Sequence, residues 1–104
     1  MAHKIIWSRQ ARDDLREIVE FIAAERPAVA ESFCFRLMSK VDVLAKFPLL
    51  GRVVPEEHNE NLREIILRPY RIIYEILPAQ QVVAVARIWH GARGETELES
   101  RLEL

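Results

Sequence analysis

The apolar residues of this chain follow one spacing in its first half and another in its second. Ala11, Leu15, Ile18, Val19 and Ile22 recur at steps of three and four, which predicts an amphipathic helix over about residues 9–25. Ser8 stands before it as an N-cap residue, and Asp13 and Asp14 sit in its early turns, where carboxylates suit the helix dipole. Arg26-Pro27 interrupts the pattern, and Pro27 suits the first position of a second helix. The stripe of that helix is Val29, Phe33, Leu37, Val41 and Leu44, with Met38 and Phe47 at its flanks and Pro48 at its end. Two helices of about 17 and 20 residues joined by almost no loop must pack antiparallel as a helical hairpin.

After residue 61 the period becomes two. Leu62–Arg68, Tyr70–Leu77 and Val82–Trp89 are rich in Ile, Val and Tyr and are separated by Pro69 and by Pro78-Ala79-Gln80-Gln81, so they predict three successive antiparallel strands. His3–Trp7, with Ile5 and Ile6, predicts one more strand at the start. Residues 48–61 contain Pro48, Gly51, Pro55 and the run Glu56-Glu57-His58-Asn59-Glu60-Asn61, which reads as an exposed loop with a solvated His58. The order β-α-α-β-β-β predicts an α+β fold in which an antiparallel sheet carries the helical hairpin on one face, with residues 1–104 as a single domain. Residues 95–104 either add a short acidic helix, with Leu98 and Leu102 one turn apart, or fray.

Strand pairing follows from keeping arginine out from under the helices. Ile72, Tyr74 and Ile76 share one face of the middle strand, and Arg71, Ile73 and Glu75 share the other. The predicted register sets Ile72 beside Ile88, Tyr74 beside Ala86 and Arg71 opposite Trp89, with Arg87 diagonal to it. The face away from the helices then shows Arg71, Ile73, Glu75, Val83, Val85, Arg87 and Trp89. An apolar floor with arginines and an indole reads as a binding groove, unless residues 48–61 or the C-terminal tail cover it.

Composition narrows the function classes. The chain has 104 residues, half of them apolar, enough for the core of one small domain. Fifteen basic and sixteen acidic side chains give a net charge of −1, which argues against a strongly basic nucleic-acid coat and against an acidic disordered chain. The single Cys34, read as a small half-buried helix residue, provides neither a disulfide framework nor a cysteine zinc site. His3, His58 and His90 are too far apart in sequence to suggest zinc, and no phosphate loop, dinucleotide fingerprint or nucleophile elbow occurs, so no cofactor or metal is expected. No apolar run approaches the roughly 18–20 residues of a membrane helix, and the chain turns polar from Trp7 to Asp14, too early for a signal peptide. The expectation is a cytoplasmic protein without a membrane partner. The neutrality is a sum of unequal parts: residues 1–51 carry +1, 52–61 carry −2, 62–94 carry +3 and 95–104 carry −3. Every basic residue of the +3 segment is an arginine, suited to bidentate contact with carboxylate or phosphate.

Candidate chemistry gathers at the end of the last strand, in Arg87-Ile88-Trp89-His90-Gly91-Ala92-Arg93. A histidine beside arginines is the arrangement of a general acid or base for phosphoryl transfer, with Glu64 as the complementary base. The alternative is a structural histidine bonded to a loop backbone. Together with Trp7-Ser8, Ala11, Asp14-Leu15, Phe47-Pro48, Gly51-Arg52, Arg63-Glu64 and Tyr70-Arg71-Ile72-Ile73-Tyr74, this segment resembles the ParE branch of the RelE/ParE toxin superfamily over nearly the whole chain. The resemblance implies the same β-α-α-β-β-β fold and a toxin of a type II toxin–antitoxin system. It implies inhibition of DNA gyrase and neutralisation by a ParD-like antitoxin, which alone would bind DNA, in a heterotetramer or larger assembly. Arg71, Ile73, Glu75, Val83, Val85, Arg87, Trp89 and Arg93 are the expected partner-binding residues.

The alternative that the resemblance offers is a ribosome-dependent mRNA endonuclease of RelE type. Arg71 would contact the scissile phosphate, with His90, Arg87, Arg93 and Glu64 in the catalytic set. The nuclease branch adds lysines on the strand before Tyr70 or an aromatic residue near the C-terminus. Here that strand offers Arg63 and Arg68, and the residues after Arg93 include no aromatic.

Overall fold

The computed structural model describes residues 2–91. They form β1 (Lys4–Trp7), α1 (Arg9–Ala23), α2 (Pro27–Val43), a 3₁₀ turn (Pro48–Leu50), β2 (Arg52–Val53), β3 (Leu62–Leu67), β4 (Tyr70–Leu77) and β5 (Val82–His90). The helix over 95–104 falls outside the described residues, as does Arg93. Among the described residues no helix is long and apolar enough to cross a membrane.

The helical hairpin forms for the expected local reasons. Ser8 caps α1, its hydroxyl accepting a hydrogen bond from the Ala11 N–H at 3.0 Å. Pro27 opens α2, where its missing N–H costs nothing. The buried stripe of α2 is Ala30, Phe33, Leu37, Val41 and Leu44. Val29 and Phe47, expected in or beside that stripe, are exposed. Ala30, three residues before Phe33, is buried in the place expected for Val29. Cys34 lies half-buried in α2, as expected.

The five strands form one sheet in the order β1-β5-β4-β3-β2. β3, β4 and β5 are the expected antiparallel meander, but β1 runs parallel to β5, so the sheet is mixed. The meander consumes the inner edges of its own strands and β2 takes part of the outer edge of β3, so β1 joins the free edge of β5. The helices cover one face, where Phe33, Leu37, Val41 and Leu44 meet Ile65, Leu67, Ile72, Tyr74, Ile76 and Ile88. Ile72, Tyr74 and Ile76 lie on that face, as the strand pattern predicts.

The register between β4 and β5 begins as expected, with Arg71 opposite Trp89 and Ile72 opposite Ile88. It then shifts: Ile73 faces Arg87 but Tyr74 faces Val85, leaving Ala86 as an extra residue. The expected Tyr74–Ala86 pairing is thus replaced by a β-bulge. One inserted residue reverses the inward and outward alternation beyond it. Val83 and Val85 therefore turn under the helices and are fully buried there, which corrects their expected place on the opposite face.

That opposite face is itself covered. Residues 48–61, expected to be an exposed loop, include β2, and Val54 packs with Leu62, Ile73 and Trp89 as a second, smaller core, with Ala86 beside it. The Tyr74 hydroxyl ties this connection to the sheet, donating to the Pro48 carbonyl at 2.6 Å and accepting from the Gly51 N–H at 2.9 Å. Gly51 is required by proximity, since a Cβ there would lie 2.5 Å from the Glu64 carbonyl oxygen and 2.6 Å from the Tyr74 hydroxyl.

The junction of α1 with β5 rests on one carboxylate. β1 ends opposite Val85, which leaves the next outward-facing backbone groups of β5 without a strand neighbour. The Ser8 hydroxyl donates to the Ala86 carbonyl at 2.8 Å, and Asp14 accepts from the Ile88 N–H at 2.9 Å. Asp14 also receives Nε and Nη2 of Arg87 at 2.8 and 2.9 Å. The start of α1 thus continues the ladder that β1 abandons.

Asp14→Ala should lower the unfolding free energy by about 2–3 kcal/mol, because it strands a nearly buried guanidinium and a backbone donor. Asp14→Asn, which keeps an acceptor for Ile88, should lose less; urea denaturation of both variants measures the difference. Burial raises the Tyr74 phenol above its ordinary pKa of 10.0, against smaller opposing contributions from the Gly51 N–H and the charge of Arg63. The raised folded-state value means that this contribution is complete below about pH 10 and is lost as pH climbs through it. The urea midpoint of the wild type should therefore fall more steeply above about pH 10 than that of Tyr74→Phe.

Candidate functional site

Two arginines of the sheet, Arg71 on β4 and Arg87 on β5, are the strongest candidates to contact an anion, and both are held by carboxylates. Each side chain is only 12% exposed. Arg87 forms the bidentate pair with Asp14 described above, and its guanidinium carbon lies 5.2 Å from the centre of the Trp89 ring, a cation–π contact.

Arg71 belongs to a four-membered cluster. Its Nε donates to Glu64 Oε1 at 2.8 Å, and its Nη2 donates to the same oxygen. Nη2 also reaches both carboxylate oxygens of Glu56, at 3.3 and 3.4 Å. On its other side Glu64 accepts from Arg52 Nε. Glu64 is a buried charged residue, and the Glu56 side chain beside it is only 2% exposed; the flanking arginines are what allow carboxylates to sit there. Burial lowers the pKa of the Arg71 guanidinium, but the hydrogen bond and charge of Glu64, reinforced by Glu56, outweigh it, and the net direction is up. Arg71 stays cationic.

The remaining candidates fall in separate places. Ile73 and Trp89 are buried under Val54, and Glu75 is half-buried on β4. Val83 and Val85 lie in the helix-side core. His90 is exposed at the end of β5, its ring edge-on to Tyr70 with centroids 5.5 Å apart. With Arg87 it borders a cleft of about 660 Å³ between α1 and the end of β5, walled also by Asp13, Asp14, Glu17, Phe21 and Tyr70. Glu64 and Arg71 are not in its walls. The general-acid and general-base pair expected of His90 and Glu64 is therefore divided, since β4 runs between their strands. The cleft that holds His90 carries three carboxylates against one arginine, a poor setting for a phosphodiester.

Sequence reasoning missed Asp14, Glu56 and Arg52 as parts of this arrangement. Asp14 had a local explanation as an early-turn acid. Glu56 looked like one of several loop acids. Arg63, counted with the +3 segment, spends its donors on the carbonyls of Leu49, Gly51 and Glu60 and so braces the 3₁₀ turn. Among the described residues no group of three metal-ligating side chains could hold a metal ion.

Comparison with known proteins agrees with this fold. Residues 5–94 match the family described as the ParE toxin of type II toxin–antitoxin system, parDE. Toxin RelE2 of Caulobacter vibrioides is 33% identical over 91 residues, covering 86% of this chain and 97% of the relative. A chain of the chromosomal ParDE system from P. aeruginosa superposes with a TM-score of 0.70 at 18% identity, covering 86% of this chain and 96% of that one. A mutant of the E. coli toxin RelE in the free state superposes with a TM-score of 0.69 at 19% identity, covering 100% of this chain and 99% of the other. At such identities the structural likeness speaks to the fold.

Glu64→Gln, which keeps the shape but removes the charge between two arginines, should cost about 3 kcal/mol of stability. Arg52→Ala should cost under about 1 kcal/mol, because the Arg52 side chain is 65% exposed and screened by solvent. Chemical denaturation of the two variants tests this asymmetry, and equal losses would place the weight of the cluster on Arg52 instead.

Proposed function

The chain belongs to the ParE toxin family of type II toxin–antitoxin systems, and from that premise we propose that it acts by binding a protein target, DNA gyrase, rather than by cleaving RNA. The observation that supports this reading is the state of its arginines. A nuclease of the RelE type needs cationic side chains free to meet a scissile phosphate and its developing charge. Here Arg71 is paired with Glu64 and Glu56, and Arg87 with Asp14. His90 stands with Arg87 beside an acidic wall, apart from Arg71. Such a surface suits contact with another protein better than approach to ribosomal RNA.

The toxin is neutralised by an antitoxin of ParD type, whose DNA-binding part gives the pair its only hold on DNA. The two assemble as a heterotetramer or larger complex in the cytoplasm. The antitoxin segment is acidic and apolar, and it orders on the toxin surface as it binds. The P. aeruginosa neighbour comes from a ParDE system, which supports an antitoxin partner here.

The competing reading, mRNA cleavage in the ribosome, draws on the relative named RelE2 and on the exposed His90. Two assays separate them. Purified toxin should inhibit gyrase supercoiling of relaxed plasmid, and the antitoxin should restore it. Toeprinting of translating ribosomes with the same preparation should show no new mRNA ends. Cleavage in the second assay without inhibition in the first would reverse the assignment.

A further inference from the structure

The segment 54–61 lies over the far face of the sheet, tied to it at its two ends and, between them, by Glu56. Val54 is fully buried against Leu62, Ile73 and Trp89, and Glu56 reaches Arg71. The backbone adds Val54 N–H to Leu62 O at 3.0 Å, Leu62 N–H to Asn59 O at 3.1 Å and Ile76 N–H to Asn61 O at 2.8 Å, and Arg63 Nε donates to Glu60 O at 2.9 Å. Pro55, His58, Asn59 and Glu60 are exposed. Only the two residues of β2 pair with β3, so this cover is a strap rather than an integral strand.

The charges beneath it are arranged unevenly. Arg52 and Arg71 face Glu64 and Glu56, two against two. Glu64 is part of β3, and the side chains of Glu64 and Glu56 are both buried, at 0% and 2% exposure. Glu56 is the member of the four outside any strand, and its contacts to Arg71, at 3.3 and 3.4 Å, are longer than the 2.8 Å from Arg71 Nε to Glu64. Lifting Glu56 leaves the other three with a net charge of +1 and opens one donor edge of Arg71. Lifting Val54 uncovers an indole and an isoleucine in the same place. The strap thus presents one carboxylate and one branched apolar side chain to a cationic, apolar surface.

We propose that the surface beneath residues 54–61 is a docking site for an acidic, apolar segment of the antitoxin, and that Glu56 and Val54 are its internal stand-ins. A carboxylate of the incoming segment takes the place of Glu56 on Arg71, and its apolar side chains take the place of Val54 on Trp89 and Ile73. The strap keeps the site dry and neutral in the free toxin and sets a displacement cost on binding. This inference rests on the toxin–antitoxin reading.

Trp89 reports on the site once Trp7, the other tryptophan, is replaced in a Trp7→Phe background. Glu56→Gln weakens the strap without changing its shape, and Val54→Ala weakens it independently. Arg71 is left intact, since its loss would strand the buried Glu64 carboxylate. Acrylamide quenching of Trp89 should rise in both variants. Titration with the purified full-length antitoxin from the adjoining reading frame should give binding about 3- to 10-fold tighter for Glu56→Gln than for the wild type. The same titration should move Trp89 emission in the parent background. Equal or weaker binding by Glu56→Gln, or Trp89 emission unmoved by the antitoxin, overturns this proposal and leaves the toxin reading standing. Failure of the wild-type chain to form any complex overturns both.

Discussion

A guanidinium withdrawn from water is stable only when a carboxylate meets it with good geometry, and this sheet contains two such groups. Arg71 and Arg87 each retain 12% of their side-chain exposure. Their partners come from different parts of the chain: Asp14 from α1, Glu64 from β3 and Glu56 from the connection after β2. Satisfying Arg87 positions the first turns of α1 against the edge of β5. Satisfying Arg71 draws residues 54–61 across the far face. Much of the tertiary arrangement beyond the two apolar cores follows from these two demands.

The bulge at Ala86 gives the first demand its geometry. It turns Val83 and Val85 under the helices while keeping Trp89 on the far face. Beyond the end of β1, the Ala86 carbonyl and Ile88 N–H are met by Ser8 and Asp14 in place of a strand. Asp14 therefore serves two partners with one side chain, a backbone donor and a guanidinium. Such a residue couples helix docking to strand geometry, so disturbing either disturbs both.

This has consequences for function on a fold that supports more than one activity. At 18–19% identity the shared architecture of the P. aeruginosa ParDE chain and E. coli RelE says little about chemistry. What distinguishes one activity from another is whether arginines and a histidine converge on open space. Here each arginine is already engaged, Arg71 with Glu64 and Glu56 and Arg87 with Asp14, while His90 keeps company with Tyr70 and acidic residues of α1. The proposed reading, recognition of a protein partner, rests on this engagement.

Much of the fold was readable from spacing alone. Helical and strand periods, the N-cap at Ser8, Pro27 at the head of α2 and the helix-facing set Ile72, Tyr74 and Ile76 depend on neighbours a few residues away, which the chain order supplies directly. The family resemblance was readable for the same reason, since it lies in the order of short segments. The site was legible only in part: Arg71, Arg87 and Trp89 stood out by residue type, whereas the roles of Asp14, Glu56 and Arg52 did not. Those roles, the parallel β1, the bulge and the cover over Ile73 and Trp89 were decided by contacts between distant segments. Asp14 and Arg87 are 73 residues apart, and Arg71 and Glu56 are 15. A one-residue bulge reverses strand parity without a sequence signal of its own, and a loop acid becomes a latch only when folding brings a buried arginine beside it.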